Sequence, residues 1–156
     1  TVSFADTIII ATSNAASEYV REEVLKSTVI DKNFQKKLIG FLQEKGIFRP
    51  ELLNRFDGIV VFKPLTQEEI YQIAKLMLDE LSRKMLEKDI AVNFDDKIIN
   101  KISHEGFDPE FGARPLRRFI QDNIEDQIAQ KMLKEEIKRG DKINLSVDSN
   151  NNLQFT

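Results

Sequence analysis

The chain has 156 residues, 41% hydrophobic and 31% charged, and a formal charge of −3. That is enough apolar material for one core or two small ones, too little Gly and Pro for a fibre, and neither half is basic enough to suggest a nucleic-acid partner. The absence of cysteine and the single histidine, His104, exclude disulfides, thiol nucleophiles and a His-rich zinc site, and no apolar run approaches the length of a membrane span.

The chain opens at Thr1 with no start methionine and runs at once into apolar residues, which reads as a piece of a longer polypeptide. No signal-peptide pattern is present, and the default compartment is cytoplasmic. Residues 7–12, TIIIAT, form a β-branched apolar run suited to a central buried strand, ended by Ser13 and Asn14. Ser17 is placed to cap a helix starting near Glu18. Residues 33–45 carry Phe34, Leu38, Phe41 and Leu42 at helical spacing, and Gly46 stops that helix. Pro50 starts a short helix through Leu53, residues 59–62 read as a second short strand, and Pro64 ends the unit.

Thr66 and Glu69 form a capping box ahead of Ile70, Ile73, Ala74, Met77, Leu78, Leu81 and Met85, a long amphipathic helix. Residues 89–94 alternate as a strand, and Asp95 or Asp96 caps a helix carrying Ile98, Ile99 and Ile102. His104 reads as a helix-end residue. The stretch GFDPEFGAR at 106–114 is too rich in Gly and Pro to be helix interior. After it, Leu116, Ile120, Ile124, Ile128 and Leu133 predict one long helix ended by Arg139, Gly140 and Asp141. Residues 143–147 and 153–155 alternate around a turn at 149–152, which predicts a hairpin. The expected architecture is α/β, with units at 1–64 and 65–156. The second is a small domain of three helices and a short sheet.

Three places carry polar groups in unusual settings. Asn14 ends a strand, where α/β sheets bind ligands, and its amide can orient a water or a phosphate; it can equally be a turn residue bonding its own backbone. In FRPELLNRFD at 48–57, Arg49 and Arg55 flank a short helix. A guanidinium there suits phosphate oxygens, or it pairs locally with Glu51 or Asp57. In GARPLRR at 112–118, Arg114 stands at a helix start, against the usual dipole preference; a bound anion would repair this, and so would a bridge to Asp108 or Glu110. No GxxxxGK[ST] loop occurs, and no apolar strand ends in adjacent Asp-Glu.

In this order, DTIIIATSN at 6–14, FRPELLNRFD at 48–57 and GARPLRR at 112–118, with Thr66 opening the unit between the last two, closely resemble the C-terminal AAA+ module of the Hsp100/Clp protein unfoldases. The resemblance covers nearly the whole chain. It implies an α/β fold made of the end of an incomplete P-loop NTPase-like large domain (1–64) followed by the small C-terminal domain (65–156).

The resemblance also implies site roles. Asn14 is similar to sensor 1, which helps place the water that attacks the γ-phosphate. Arg55 resembles the arginine finger, which reaches the ATP of a neighbouring subunit, and Arg114 resembles sensor 2, which meets phosphates from the small domain. Ile73 corresponds to a position beside the adenine. ATP and Mg2+ are implied for the intact protein and no metal ligand for this chain, because the Walker A lysine and Walker B acids have no counterpart here. The chain alone is therefore expected to be inactive. Implied partners are neighbouring subunits of a ring, a hexamer, and unfolded or aggregated protein substrates. The alternatives are another AAA+ remodelling ATPase and a non-catalytic oligomerisation or adaptor module.

Two departures stand out. After Asn14 the family often has a hydrophobic residue and then Gly, where this chain has Ala15 and Ala16. Ile39, Gly40 and Phe41 have the letters of the family's loop for docking a Clp-type peptidase, but they fall inside an expected helix, and docking of such a peptidase is left open.

Overall fold

A computed structural model describes residues 7–26, 30–108, 111–148 and 151–156. Asp6, Pro109, Glu110 and the first half of the turn expected at 149–152 lie outside the described residues. The chain divides into two compact units, Thr1–Pro64 and Leu65–Thr156.

The helices of the first unit are α1 (Ser17–Lys26), α2 (Lys32–Glu44) and α3 (Pro50–Leu53). Asp31 caps α2, its carboxylate accepting from the Phe34 N–H at 2.8 Å. The helix stops where expected: Gly46 adopts φ +66°, its N–H donates to Gln43 O, and the Ile47 N–H donates to Leu42 O, both at 3.0 Å. Val20, Phe34, Leu38 and Leu42 make a small core, and Tyr19 stacks on Phe41 with ring centroids 4.4 Å apart. The two strands expected at 7–12 and 59–62 do not form. Ile8 is 91% exposed and Phe62 86%. A strand is stabilised by pairing its backbone with a neighbouring strand, and among the described residues the one sheet, of the second unit, includes neither run.

The second unit starts with α4 (Gln67–Leu86). Its capping box is complete: the Glu69 N–H donates to Thr66 Oγ1 at 3.2 Å, and the Thr66 N–H donates to Glu69 Oε2 at 2.8 Å. Ile70, Ala74, Leu78, Leu81 and Met85 are buried, at about 1.5–3 kcal/mol of transfer free energy for each large side chain. Then follow β1 (Ala91–Phe94), α5 (Asp96–Glu105) with Asp95 as its cap, α6 (Arg114–Ile120), a π-helical turn at Gln121–Glu125, α7 (Asp126–Leu133), β2 (Lys142–Val147) and β3 (Leu153–Phe155). His104 is exposed in the last turn of α5.

The sheet order is β1-β2-β3, with β1 parallel and β3 antiparallel to β2. Register pairs Val92 with Ile143 and Phe94 with Leu145, which puts Val92, Ile143 and Leu145 into the core. On the other face Asn93 Nδ2 donates to Asn144 Oδ1 at 3.0 Å. The returning strand is closed by Asn152, whose N–H donates to Asp148 Oδ1 at 2.8 Å.

The long helix differs from expectation in two ways. It ends at Leu133, not near Arg139; Ile137 is buried again, and Gly140, at φ +92°, donates its N–H to Asp89 O as the chain enters β2. Leu133 is also 85% exposed, off the face formed by Leu116, Ile120, Ile124 and Ile128. Those four are spaced by four residues. In a 3.6-residue helix each such step overshoots a turn by about 40°. The π turn, closed by the Asp126 N–H on Gln121 O, takes up that drift and keeps the fourfold spacing facing the core, so the next inward position is Met132 and not Leu133.

Candidate functional site

Asn14 is exposed at the mouth of a turn. Its carbonyl accepts from the Ser17 N–H at 3.2 Å, and the Ala15 N–H donates to Ser13 Oγ at 3.0 Å. The backbone of Asn14 thus starts α1, with Ser17 as the first helical residue and not the cap outside it. The turn needs Ala16 at φ +59°, a left-handed conformation that costs an L-residue about 1–2 kcal/mol. This is the position where the resemblance implies glycine.

Arg55 follows α3. Pro50 opens that single turn, since it needs no N–H donor there, and Asn54 closes it, its N–H donating to Pro50 O at 3.0 Å. Leu53 is the buried residue of the turn, while Arg49, Arg55 and Asp57 are exposed. The ion pairs among the described residues join Lys26 to Glu23, Lys84 to Glu80, Lys101 to Glu105 and Lys131 to Glu136. The local alternative for Arg55, a bridge to Glu51 or Asp57, is therefore not formed, and its guanidinium is available to an anion from outside the unit.

Arg114 is the first residue of α6. Ala113 precedes it and offers no side-chain cap, so the first N–H groups of the helix have no acceptor there, and Arg114 is exposed. Among the described residues no ion pair joins Arg114 to Asp108, and Glu110, the other expected partner, lies outside them. Asp108 is used by the loop: the Phe111 N–H donates to Asp108 Oδ1 at 3.2 Å, and the Gly112 N–H donates to Asp108 O at 2.7 Å. Arg117 and Arg118 occur a turn later. Arg117 lines a shallow pocket with Glu80, Lys84 and Glu125. The Lys84 ammonium bonded to Glu80, helped by Arg117, holds that carboxyl below the usual carboxylate range. All three arginines are exposed, and Arg117 is the one drawn towards the Glu80 carboxylate.

Ile73 is half-buried on α4 against the core of the second unit, so a flat apolar ring could cover its remaining surface. Asn14 and Arg55 belong to the first unit, Ile73 and Arg114 to the second. The triplet of Ile39, Gly40 and Phe41 lies in α2, with the Phe41 ring stacked on Tyr19 and the Lys45 ammonium 5.8 Å above it.

Taken singly, an exposed guanidinium suits phosphate oxygens and an exposed amide suits a water. No group of three carboxylates and histidines that could hold a metal ion gathers among the described residues. No helix among them is long and apolar enough to cross a membrane.

One position escaped sequence reasoning. Gly106 ends α5, and a Cβ there would lie 2.7 Å from Leu116 Cδ1, 2.9 Å from Ile102 O and 3.1 Å from Leu116 Cα. A glycine before a loop is an ordinary sight in a sequence. The contact that requires it comes from ten residues further on, where no local signal reaches.

Comparison with known proteins follows the same line. A family model for the C-terminal, D2-small domain of ClpB protein matches residues 65–145, more than half of the chain. The chain is 38% identical over 154 residues to the chaperone protein ClpB of Oceanobacillus iheyensis, covering 95% of this chain and 19% of that protein. It is 38% identical over 154 residues to ClpB of Staphylococcus aureus (strain COL), covering 99% and 18%. It is 40% identical over 154 residues to the negative regulator of genetic competence ClpC/MecB of Bacillus subtilis, covering 95% and 19%. The chain thus spans less than a fifth of the length of these relatives.

Proposed function

We propose, for a chain that belongs to the Hsp100/Clp family of chaperones, that it serves as the phosphate-sensing end of an ATP-driven protein-unfolding motor. Its two units are the end of an AAA+ large domain, 1–64, and the small domain that follows it, 65–156. The motor is a cytoplasmic ring, a hexamer of like subunits, that acts on unfolded or aggregated proteins. Other segments of the longer protein would hold the triphosphate, and Mg2+, when bound with it, would supply neutralisation of its charge.

The observation that carries this reading is the state of the two arginines. Arg55 and Arg114 each follow or open a short helix, are exposed, and are free of ion pairs among the described residues, although acidic residues lie close in sequence. A guanidinium stays charged under any desolvation and forks onto phosphate oxygens. Phosphoryl transfer needs little beyond such positioning and charge stabilisation. In this reading Arg55 reaches the nucleotide of the adjacent subunit and stabilises charge developing on the γ-phosphate. Arg114 meets the phosphates of its own subunit and links them to movement of the small domain. Asn14 holds the attacking water through its amide. Ile73 covers one face of the adenine.

The test is Arg55→Ala in the full-length protein. An arginine finger is worth about 10³–10⁵ in turnover, so hydrolysis should fall by at least roughly 10³-fold while each subunit still binds ATP. Weaker ATP binding with turnover intact would refute the finger role.

A further inference from the structure

We propose that Gly106 and Gly112 are positioning residues for Arg114, fixing the helix turn that carries its guanidinium. The inference rests on the reading of Arg114 as a phosphate contact. Gly106 lets the end of α5 touch the start of α6 at backbone distance. A Cβ would be driven to 2.9 Å from Ile102 O and 3.1 Å from Leu116 Cα, and neither backbone atom can swing aside as a side-chain tip can. Ile102 O is moreover held in place, since it accepts the Gly106 N–H at 2.8 Å. Leu116, two residues past Arg114, is fully buried in the core of its unit, so the same turn is anchored on its inner side.

The loop supplies the second constraint. The Gly112 N–H donates to Asp108 O at 2.7 Å in an isolated bridge, and Gly112 takes φ +65°, which turns the chain into Ala113 and the uncapped helix start. Nothing lies within 4 Å of where a Gly112 Cβ would be. An alanine there meets only backbone strain and leaves the core untouched. The two glycines thus act differently on one outcome: Gly106 sets how closely the Arg114 turn approaches α5, and Gly112 sets the direction from which the chain enters it.

A double-mutant cycle in the full-length protein separates positioning from plain structural support. The KM for ATP is measured for Gly106→Ala, Gly112→Ala and Arg114→Ala, and for each glycine variant combined with Arg114→Ala. Losing a charge-assisted phosphate contact should raise KM roughly tenfold or more in Arg114→Ala. Each glycine variant should raise it roughly three- to tenfold alone and add nothing once Arg114 is gone. If Gly106→Ala fails to fold, Gly112→Ala decides alone. Glycine effects equal in size with and without Arg114, or absent with Arg114 present, would overturn the positioning role while leaving Arg114's own role intact. An Arg114→Ala protein with unchanged KM and turnover would instead remove the phosphate reading itself.

Discussion

Ala16 shows how much a single backbone angle can reveal. At φ +59° it carries left-handed strain that glycine would not, and its neighbours Asn14 and Ser17 are committed to the turn that requires it. Replacing Ala16 with Gly should stabilise the first unit by about 1 kcal/mol, less whatever its half-buried methyl contributes to the small core around Val20 and Phe34. Chemical denaturation of the two proteins side by side would check the sign; a lower midpoint for the glycine variant would mean that methyl packing outweighs the strain. The sequence marked this position only as a departure from a family pattern. Its cost became visible when the turn was seen to need positive φ. The reverse holds for Arg55 and Arg114. Their residue types and spacing were legible at once, but the choice between a local ion pair and an available guanidinium depended on where Glu51, Asp57 and Asp108 direct their oxygens.

At the scale of elements, the long helix of the second unit separates what periodicity can and cannot tell. The apolar run from Leu116 to Leu133 was read as one face, and four of its five members are buried. The fifth is not, because a π turn at Gln121–Glu125 resets the phase of everything after it. Ile128→Ala should therefore cost about 2–5 kcal/mol, while Leu133→Ala should change stability by less than about 0.5 kcal/mol. Thermal unfolding of both variants would measure the contrast, and comparable losses would place Leu133 in the core after all. Capping signals fared better. Thr66 with Glu69, Asp95, Gly46 and Pro50 all act where the sequence put them, because a cap is satisfied by atoms within four residues of itself. Strand signals were reliable where a partner strand exists, at 91–94, 142–147 and 153–155, and failed at 7–12 and 59–62, where none does among the described residues.

For the whole molecule, the uneven distribution of core material predicts uneven stability. The second unit buries residues from all its helices and from two strands of its sheet, whereas the first has four buried residues in its core cluster and leaves the run at 8–12, with Val60 and Phe62, exposed to solvent. Hydrogen exchange on the chain should show amides of α4 and β2 protected most, those of α1 and α2 less, and those of 7–12 and 59–62 hardly at all. Slow exchange at 7–12 would mean that this run has found a strand partner. By itself the sequence determined the α/β class, the helix caps and stops other than those expected at Ser17 and at 139–141, the three polar motifs and the family they point to, because each depends on neighbours along the chain or on a short ordered pattern. Only the tertiary structure decided that Leu133 faces water, that Arg55 is not paired with Glu51 or Asp57, and that Gly106 has no room for a Cβ. Those outcomes depend on helix phase, on side-chain direction and on how closely two helices approach, which no periodicity encodes.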